Sequence, residues 1–312
     1  MDVVSLFSGI GGLDIGFSEA GYNIVWANDF DKYAVQTYRT NFGDRIVLGD
    51  INKISLEDIP NHDVLIGGFP CQPFSMMGEM RGFGDTRGTL FFRIAEIIRN
   101  QIERRQRPRA IILENVRSLR THDNGNTFAT IRRILEEDLG YKVYDEILNS
   151  VEYGVPQKRN RTYIVCFANH DVDYHYPLPV SLNGLTLQDL LEHDVDDKYF
   201  LSERILPTIL SNGTGGYIGR SEIDLQIARP LCATMAKMHR ACQDNYVTQN
   251  GRVRRLTPRE CARLQGFGEE FVIPVSDSQA YKQFGNAVTV NVSRAVARSV
   301  RTALLEIGEW IE

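Results

Sequence analysis

One cysteine of the chain stands in surroundings that suit a reacting thiol. Cys71 lies in the run Gly-Gly-Phe-Pro-Cys-Gln-Pro at residues 67–73, directly after the apolar run at residues 64–66. With an ordinary pKa near ~8.5, a thiol is a few per cent thiolate at neutral pH, and electropositive surroundings raise that share. Cys166 and Cys261 instead fall in apolar strand and helix patterns, which are typical of buried cysteines. The sequence therefore predicts that Cys71 is a nucleophile.

An acid and two arginines follow at other strand ends. Glu114 closes the very apolar run at residues 110–113, where burial raises the pKa of a carboxyl group and lets it hold a proton near neutrality. Because carboxyl ends of parallel strands meet at one sheet edge, we expect Glu114 near Cys71. Arg159 and Arg161 point to the same sheet face, and we expect one of them beside Glu114. For either arginine, a surface position where a strand begins is an equal alternative.

A glycine-rich turn near the start is typical of a nucleoside cofactor site. Residues 8–12, Ser-Gly-Ile-Gly-Gly, join an apolar run to an amphipathic one, an arrangement that brings backbone close to a cofactor. Asp29 ends the second predicted strand, where a carboxylate accepts hydrogen bonds from ribose hydroxyls. Asp50 ends a third strand and is a candidate for holding an adenine amino group. The turn alone is a weak signal, and a generic strand-to-helix turn with surface acids is the alternative.

The elements that position these residues alternate in the first half of the chain. The periodicity predicts strands at residues 3–7, 24–27, 64–66 and 110–113, and helices at residues 13–20, 32–41, 90–101 and 128–139. Strands that are apolar on both faces and separated by helices indicate an α/β fold, with a mostly parallel, Rossmann-like sheet covered by helices on both faces.

The alternation fades after residue 167, where Gly, Asn, Ser and Asp become frequent, so a smaller second domain is predicted there. Thr257, Pro258 and Glu260 form a capping-box pattern that begins a helix reaching residue 264. A long amphipathic run at residues 288–305 predicts a closing helix. The predicted domains are residues 1–178 together with 258–312, and residues 179–257.

Composition excludes several classes of protein. An apolar fraction of 43% in 312 residues is ordinary for a globular chain. The five cysteines are odd in number and scattered, so we expect no disulfide framework and no metal site. No stretch approaches the ~20 apolar residues that span a bilayer, and the N-terminus lacks a basic leader. We therefore expect a cytoplasmic protein.

The positions of the charged residues along the chain are more informative than the net charge. The net charge of −5 excludes a uniformly basic surface, but basic residues cluster at 99–109, 158–161 and 252–263. A charge cluster is usually a solvated face. The cluster at residues 252–263 is the best candidate for phosphate contacts.

The ordered motifs together resemble those of the C5-cytosine DNA methyltransferase family, in particular its small bacterial restriction-modification members. The matching segments are LFSGIGGL at 6–13, NDFDKYA at 28–34, GDI at 49–51, GGFPCQPFS at 67–75, RGTLFF at 87–92, ENV at 114–116, QKRNR at 157–161, RRLTPRECARLQGF at 254–267 and QFGNAV at 283–288. Residues 168–251 lack such motifs, which is where the variable target-recognition region of the family falls.

The resemblance implies a DNA (cytosine-5-)-methyltransferase with S-adenosyl-L-methionine as cofactor. Such an enzyme methylates C5 of a flipped-out cytosine in a short double-stranded DNA sequence, through a covalent adduct between Cys71 and C6. Glu114 matches the acid of the family's pocket and Arg161 its arginine, and Arg159 is a further catalytic candidate. The glycine-rich, charged loop at residues 76–89 suits a lid. Residues 237–246 are candidates for reading the major groove.

The resemblance also assigns contacts. The expected cofactor contacts are Phe7, Ser8, Gly9, Gly11, Gly12, Asp29, Phe30, Asp50, Ile51, Pro70 and Asn286. The expected DNA contacts are Gln72, Ser75, Arg81, Thr234, Arg240 and Arg254.

Two departures and two alternatives accompany the resemblance. Ser5 stands where the first family motif usually has Asp, and Asp29 where the second usually has Glu; both changes concern cofactor affinity more than chemistry. A tRNA cytosine-5 methyltransferase shares the chemistry, and a non-catalytic DNA-binding paralogue would be expected to lose catalytic residues that are present here. The expected partners are double-stranded DNA, bound by a monomer in a bacterial cytoplasm, and a restriction endonuclease that acts separately.

Overall fold

The computed structural model describes residues 1–70, 90–214 and 217–310. Its strands are β1 (Asp2–Leu6), β2 (Asn23–Asp29), β3 (Ile46–Leu48), β4 (Val64–Gly68), β5 (Ala110–Val116), β6 (Lys142–Asn149), β7 (Asn160–Phe167), β8 (Gly213–Thr214), β9 (Tyr217–Ile218), β10 (Tyr246–Gln249) and β11 (Arg252–Arg255). Its helices are α1 (Gly12–Glu19), α2 (Lys32–Phe42), α3 (Leu90–Glu103), α4 (Asn126–Arg133), α5 (Leu206–Leu210), α6 (Pro258–Leu264), α7 (Asp277–Asn286) and α8 (Val290–Glu306).

Seven strands form one sheet in the order β3-β2-β1-β4-β5-β7-β6. The pairs β1 with β2, β2 with β3, β1 with β4, and β4 with β5 are parallel. Strand β7 runs antiparallel between β5 and β6. The predicted α/β fold with a mostly parallel sheet is therefore confirmed, and the order places β1 and β4 side by side at its centre.

Alternating side chains of the central strands supply two separate apolar cores. Val3 packs in one core with residues of α1 and α8, while the adjacent Val4 packs in the other with residues of α3 and α4. Successive side chains of a strand point to opposite faces, so helices must cover both faces of this sheet. Helix α2 packs on the outer strands β2 and β3, through Val35 and Tyr38.

The elements that the sequence did not predict are those with mixed polarity. Strand β6 (KVYDEILN) is an edge strand with few buried positions, so its apolar alternation is weak. The helix predicted at residues 128–139 is instead α4 followed by a π-helical turn at Ile134–Asp138. Helix α7 was also missed, because its sequence DSQAYKQFGN is largely polar. The capping box of α6 is confirmed.

The region between residues 179 and 257 has little regular structure and a small core of its own. That core contains Leu201, Ile209, Ala241 and Tyr246. A larger core joins Leu231 and others of the region to residues of α6 and α7. The boundaries at residues 178 and 257 stay predictions. Among the residues that the structure describes, no helix is long and apolar enough to cross a membrane.

Arg254 is the largest fully buried side chain described in the structure. Its Nη1 and Nη2 donate to the two carboxylate oxygens of Glu260 at 2.8 and 2.7 Å, and its Nε donates to Gln249 Oε1 at 2.5 Å. Glu260 also accepts the backbone N–H of Thr257 in the capping box. The prediction that Arg254 contacts DNA is wrong, because a side chain with no exposed surface offers a phosphate no donor.

Other arginines of the cluster at residues 252–263 are also engaged within the molecule. Arg259 donates to the carbonyl of Phe271 at 2.7 Å, and Arg263 is paired with Glu269 at 2.7 Å. Much of this cluster therefore holds the chain's own carbonyls and carboxylates.

A buried carboxylate lies beneath the glycine-rich turn. Asp14 of α1 accepts hydrogen bonds from the hydroxyls of Ser5 at 2.7 Å and Tyr38 at 2.6 Å. The hydroxyl of Ser8 donates in turn to Ser5 Oγ at 2.9 Å. Burial raises the pKa of Asp14 to about 6, against the opposing effect of these hydrogen bonds. Ser5, which stands where the first motif of the resembling family usually has Asp, thus donates to Asp14.

We expect Arg254→Met to lower the free energy of unfolding by about 3–5 kcal/mol, because it leaves the charge of Glu260 buried without a partner. Arg252→Met is the control: its partner is Asp197, both side chains are more than half exposed, and a change below about 1 kcal/mol is expected. Urea denaturation measures both. A stable Arg254→Met variant with weakened DNA binding would restore the phosphate-contact interpretation.

We expect the stability of the Asp14→Asn variant to depend less on pH than that of the wild type. Because the folded-state pKa of Asp14 is raised, its contribution to stability is present below about pH 4 and is lost as the pH rises through about 6. That loss amounts to about 2–3 kcal/mol. Urea denaturation between pH 4 and 7.5 tests it, with Asp44→Asn, at a side chain 93% exposed, as control. Identical pH slopes in the wild type and Asp14→Asn would contradict this assignment.

Candidate active site

A cavity of about 600 Å³ opens at the carboxyl ends of the central parallel strands. Its walls come from the turn after β1, the ends of β2, β4 and β5, the start of β7 and residues 282–288 at the end of α7. Ligands of open α/β sheets bind at this edge, and the volume lies in the range of small-molecule sites.

One side of the cavity is built by the glycine-rich turn and Asp29. The backbone N–H groups of Gly9 and Asp31 donate to the two carboxylate oxygens of Asp29, at 2.9 and 2.8 Å. Burial raises the pKa of Asp29, and these N–H groups oppose the shift. No atom lies within 4 Å of the place where a Cβ of Gly9 would stand, so the backbone of the turn is open to a ligand. A Cβ at Gly12 would lie 2.3 Å from the carbonyl oxygen of Val288, so only glycine allows this approach.

Most of the predicted cofactor contacts line this cavity, and three do not. The lining includes Phe7, Ser8, Gly9, Gly12, Asp29, Phe30, Pro70 and Asn286. Gly11 instead faces the ring of Phe42. Asp50 accepts the backbone N–H of Asn52 at 3.0 Å and so caps a short 3-10 helix. Ile51 is buried in the core beneath the sheet. The structure gives these three residues structural roles outside the lining.

Residues of α7 that the sequence analysis did not single out also line the cavity. Lys282 is paired with Asp31 at 2.5 Å across it. Gln283 is buried and accepts the hydroxyl of Thr37 at 3.0 Å. Gln283 lies in the QFGNAV segment and Asp31 in NDFDKYA, so the motifs contained a signal for these two residues, while the pairing of Lys282 with Asp31 is a property of the fold.

The other side of the cavity holds a buried acid and its arginine. Glu114 lies near the carboxyl end of β5 and is 7% exposed, and its Oε1 lies 3.0 Å from Nε of Arg161. Burial raises the pKa of Glu114, whereas the charges of Arg161 and Arg159 oppose the shift. The pKa of this carboxyl is therefore above its ordinary value even though it is paired.

The predicted nucleophile lies outside the described residues, as do Gln72, Ser75, Arg81 and the predicted lid at residues 76–89. Pro70, which directly precedes Cys71, lines the cavity. The side chain of Asn115 donates to the carbonyl of Phe69 at 2.8 Å. The chain leading to Cys71 is therefore held beside the end of β5 that carries Glu114.

Arg159 has a different environment from Arg161. It is 2% exposed, and it donates to the backbone carbonyls of Leu231 at 2.8 Å, Gly285 at 3.0 Å and Ala287 at 2.9 Å. Burial, followed by the charge of Arg161, lowers the pKa of Arg159 to about 9. Its Nη1 and Nη2 bind the protein's own backbone, which gives Arg159 a structural role. Arg159 also lines the cavity, so its catalytic role stays a prediction.

The two remaining predicted DNA contacts lie in one segment after Leu231. Thr234 is exposed. Arg240 is partly buried, and its Nε donates to the hydroxyl of Ser211 at 2.7 Å. Their contact with DNA stays a prediction.

Comparison with known proteins agrees with this architecture. A family model described as C-5 cytosine-specific DNA methylase matches residues 1–302. The chain is 41% identical over 315 residues to Type II methyltransferase M.NlaX of Neisseria lactamica, with 98% of each chain covered. It is 37% identical to Type II methyltransferase M.HhaI of Haemophilus parahaemolyticus, covering 96% of this chain and 94% of the relative.

Among solved structures, the fold is similar to that of the S. pombe Dnmt2 methyltransferase, with a TM-score of 0.77 over 99% of both chains. At 20% identity this likeness concerns the fold alone. The family match spans nearly the whole chain and agrees with the sheet, the cavity and the buried acid described above. The chain therefore belongs to the C-5 cytosine-specific DNA methylase family and is a DNA cytosine-5 methyltransferase.

Proposed function

We propose that the cavity is the active site in which this enzyme methylates C5 of a cytosine flipped out of a short, specific sequence of duplex DNA. The observation that carries the proposal is the pair of the buried Glu114 and the partly buried Arg161, which shares one cavity with the glycine-rich turn, Asp29 and the residue preceding Cys71. The residues proposed to bind the cofactor and those proposed to bind the cytosine therefore line the same cavity.

S-adenosyl-L-methionine is the proposed cofactor, and it supplies the methyl group. Asp29 keeps lone pairs for ribose hydroxyls beyond those used by the N–H groups of Gly9 and Asp31. The ring of Phe30, 72% exposed at the rim, offers a face for a nucleobase. Phe7 and Asn286 line the same side. The volume, the open backbone at the turn and these groups fit a nucleoside cofactor.

In the proposed reaction, the thiolate of Cys71 adds to C6 of the cytosine, which breaks the aromaticity of the ring and moves electron density to C5. C5 would then form a bond to the methyl carbon while the bond from that carbon to the cofactor's sulfur breaks, with its electron pair leaving on the sulfur. Loss of the C5 proton restores the C5–C6 double bond and expels the thiolate. The adduct accumulates negative charge toward N3 and O2, so groups that stabilise this charge lower the barrier.

We propose that Glu114 and Arg161 are the groups that stabilise this charge. Burial raises the pKa of this carboxyl, which favours the protonated form that donates to N3, and its other oxygen accepts a hydrogen bond from the N4 amino group. Arg161 binds the O2 edge and holds Glu114 in place through the 3.0 Å contact. Neither group reaches a base stacked in a duplex, so the base must be flipped out at a cost of a few kcal/mol.

DNA is the proposed substrate because the family model is one of DNA methylases. The non-catalytic alternative is disfavoured because Cys71, Glu114 and Arg161 are all present. The relatives named above are Type II methyltransferases, and we propose this class for the chain. A separate restriction endonuclease, and action as a monomer, stay predictions.

We expect the wild type to transfer tritium from methyl-labelled S-adenosylmethionine to mixed-sequence duplex DNA, and Cys71→Ser to lower this rate by about 10³-fold or more, because a hydroxyl is a far weaker nucleophile. Cys166→Ala, which removes a thiol from the core of β7, is the control that keeps activity. Bisulfite sequencing then identifies the methylated site.

The same assay includes tRNA and a measurement of cofactor binding. Label in tRNA alone would replace the proposal with the tRNA alternative. Binding of the cofactor without label in either nucleic acid would support the non-catalytic paralogue and overturn the proposed reaction.

We expect Glu114→Gln to lower kcat by about 10²–10³-fold, because the amide keeps the hydrogen-bonding shape but has no proton to donate. The pKa of Glu114 is raised, so wild-type activity declines as the pH rises through it, and this alkaline decline is absent in the variant. A kcat profile from pH 5.5 to 9.5 measures it, with the exposed Glu146→Gln as control. An unchanged alkaline decline in Glu114→Gln would assign it to another group.

A further inference from the structure

Two buried side chains just before β7 bind both backbone polar groups of one loop residue. Gln157 Oε1 accepts the N–H of Leu231 at 2.8 Å, and Arg159 Nη1 donates to the carbonyl of Leu231 at 2.8 Å. Gln157 is 0% exposed and Arg159 2%. Arg161 of the base pocket follows two residues later, so a single short stretch of chain carries both a pocket residue and the anchor of the loop.

The backbone strengthens this anchor. Ala228 donates its N–H to the carbonyl of Pro156 at 2.8 Å, and its carbonyl accepts the N–H of Lys158 at 2.9 Å. The chain around residue 230 is therefore bonded to residues 156–159 through four hydrogen bonds, two between backbone groups and two from side chains.

The loop that contains Leu231 is stabilised by hydrogen bonds between its own residues. We call residues 229–246 the recognition segment, since it contains Thr234 and the polar run at 237–246. At its base, Asn245 binds the backbone N–H and carbonyl of Arg229, at 2.8 and 3.0 Å.

Inside the recognition segment, Asp244 accepts the backbone N–H of His239 at 3.0 Å, and the thiol of Cys232 lies 3.6 Å from its other oxygen. The hydroxyl of Tyr246 donates to the carbonyl of His239. These bonds connect both ends of the recognition segment with its middle. The hydrogen bonds that fix Leu231 therefore position the whole segment.

The same side chains also bind segments outside the loop, and Arg159 reaches the cofactor side of the cavity. Arg159 Nη2 donates to the carbonyls of Gly285 and Ala287, whereas Gln157 Nε2 donates to the carbonyl of Leu264 at 2.8 Å. Gln157 is thus bonded to the recognition segment and the end of α6, and Arg159 to the recognition segment and the residues that line the cofactor side.

We propose that Gln157 and Arg159 are positioning residues, which fix the recognition segment relative to the base pocket and thereby set how well the enzyme distinguishes its target sequence from mismatched ones. This inference rests on the proposed function. A base in the pocket and base pairs read in the groove belong to one DNA molecule, so the two protein surfaces must keep one relative position. A displacement of about 1 Å is enough to weaken such a matched arrangement.

The experiment compares Gln157→Met and Arg159→Lys with the wild type. Arg107→Lys is the matched control: Arg107 also donates to two backbone carbonyls, those of Leu139 and Gly140, but at residues that do not line the cavity. Steady-state kinetics give kcat and KM for DNA on the target identified by bisulfite sequencing. The same kinetics on oligonucleotides with one altered base pair give the discrimination ratio, which is kcat/KM on the target divided by kcat/KM on the altered sequence. Calorimetry gives the Kd of S-adenosylmethionine.

We expect both variants to raise KM for DNA about tenfold and to reduce the discrimination ratio about tenfold. This is the effect expected from the loss of one buried hydrogen bond that positions the segment. Gln157→Met leaves the Kd of S-adenosylmethionine unchanged, whereas Arg159→Lys raises it, because only Arg159 binds Gly285 and Ala287. Arg107→Lys changes none of these quantities.

A loss of kcat in Arg159→Lys with unchanged discrimination and KM for DNA would make Arg159 a catalytic residue and overturn the proposal. Unchanged kinetics in both variants would overturn it as well. The failure of the proposed function is separate, because it is seen in the wild type as the absence of DNA methylation.

Amide hydrogen exchange provides a readout that does not depend on activity. We expect faster exchange across the recognition segment in Gln157→Met and Arg159→Lys, with no change at α8, and no change at the segment in Arg107→Lys. If a variant does not fold, faster exchange at α8 identifies it, and the other variant then tests the proposal. Unchanged exchange of the segment in folded variants would show that other contacts position it.

Discussion

The compensation of buried charge at one edge of an apolar sheet is the constraint on which the active site depends. Glu114 lies near the end of a strand whose preceding side chains are fully buried, so its ionised form is unfavourable unless a cation lies close. Arg161 supplies that cation at 3.0 Å. The opposing effects of burial and charge leave a carboxyl that is poised to exchange a proton, which is the property that the proposed chemistry requires.

The same constraint explains why several basic residues are structural. A buried guanidinium has five donors to satisfy. Arg254 binds Glu260 and Gln249, and Arg159 binds three backbone carbonyls. Each joins segments that lie outside the seven-stranded sheet. In the C-terminal half, where the sheet no longer organises the chain, buried arginines and glutamines connect the recognition segment to the pocket.

The cofactor side shows how a departure from the family pattern is accommodated. Ser5 lacks the usual carboxylate, but its hydroxyl donates to Asp14, which lies beneath the glycine-rich turn together with Tyr38. The shorter Asp29 still receives two backbone N–H groups and faces the cavity. Both departures therefore leave the turn and its acid in the arrangement that a nucleoside cofactor requires.

The sequence by itself determined the α/β rhythm, the edge of the sheet that carries the site, and the residue types of the pocket, because periodicity and short motifs are local properties of a chain. It did not determine what each of the two arginines that line the cavity binds. Arg159 and Arg161 are alike in sequence, but the partners of Arg159 lie 72 to 128 residues away. Likewise, the burial of Arg254 followed from packing. The partners of a charged side chain are brought together by the tertiary fold, so only the structure decided which charges serve chemistry and which hold the chain together.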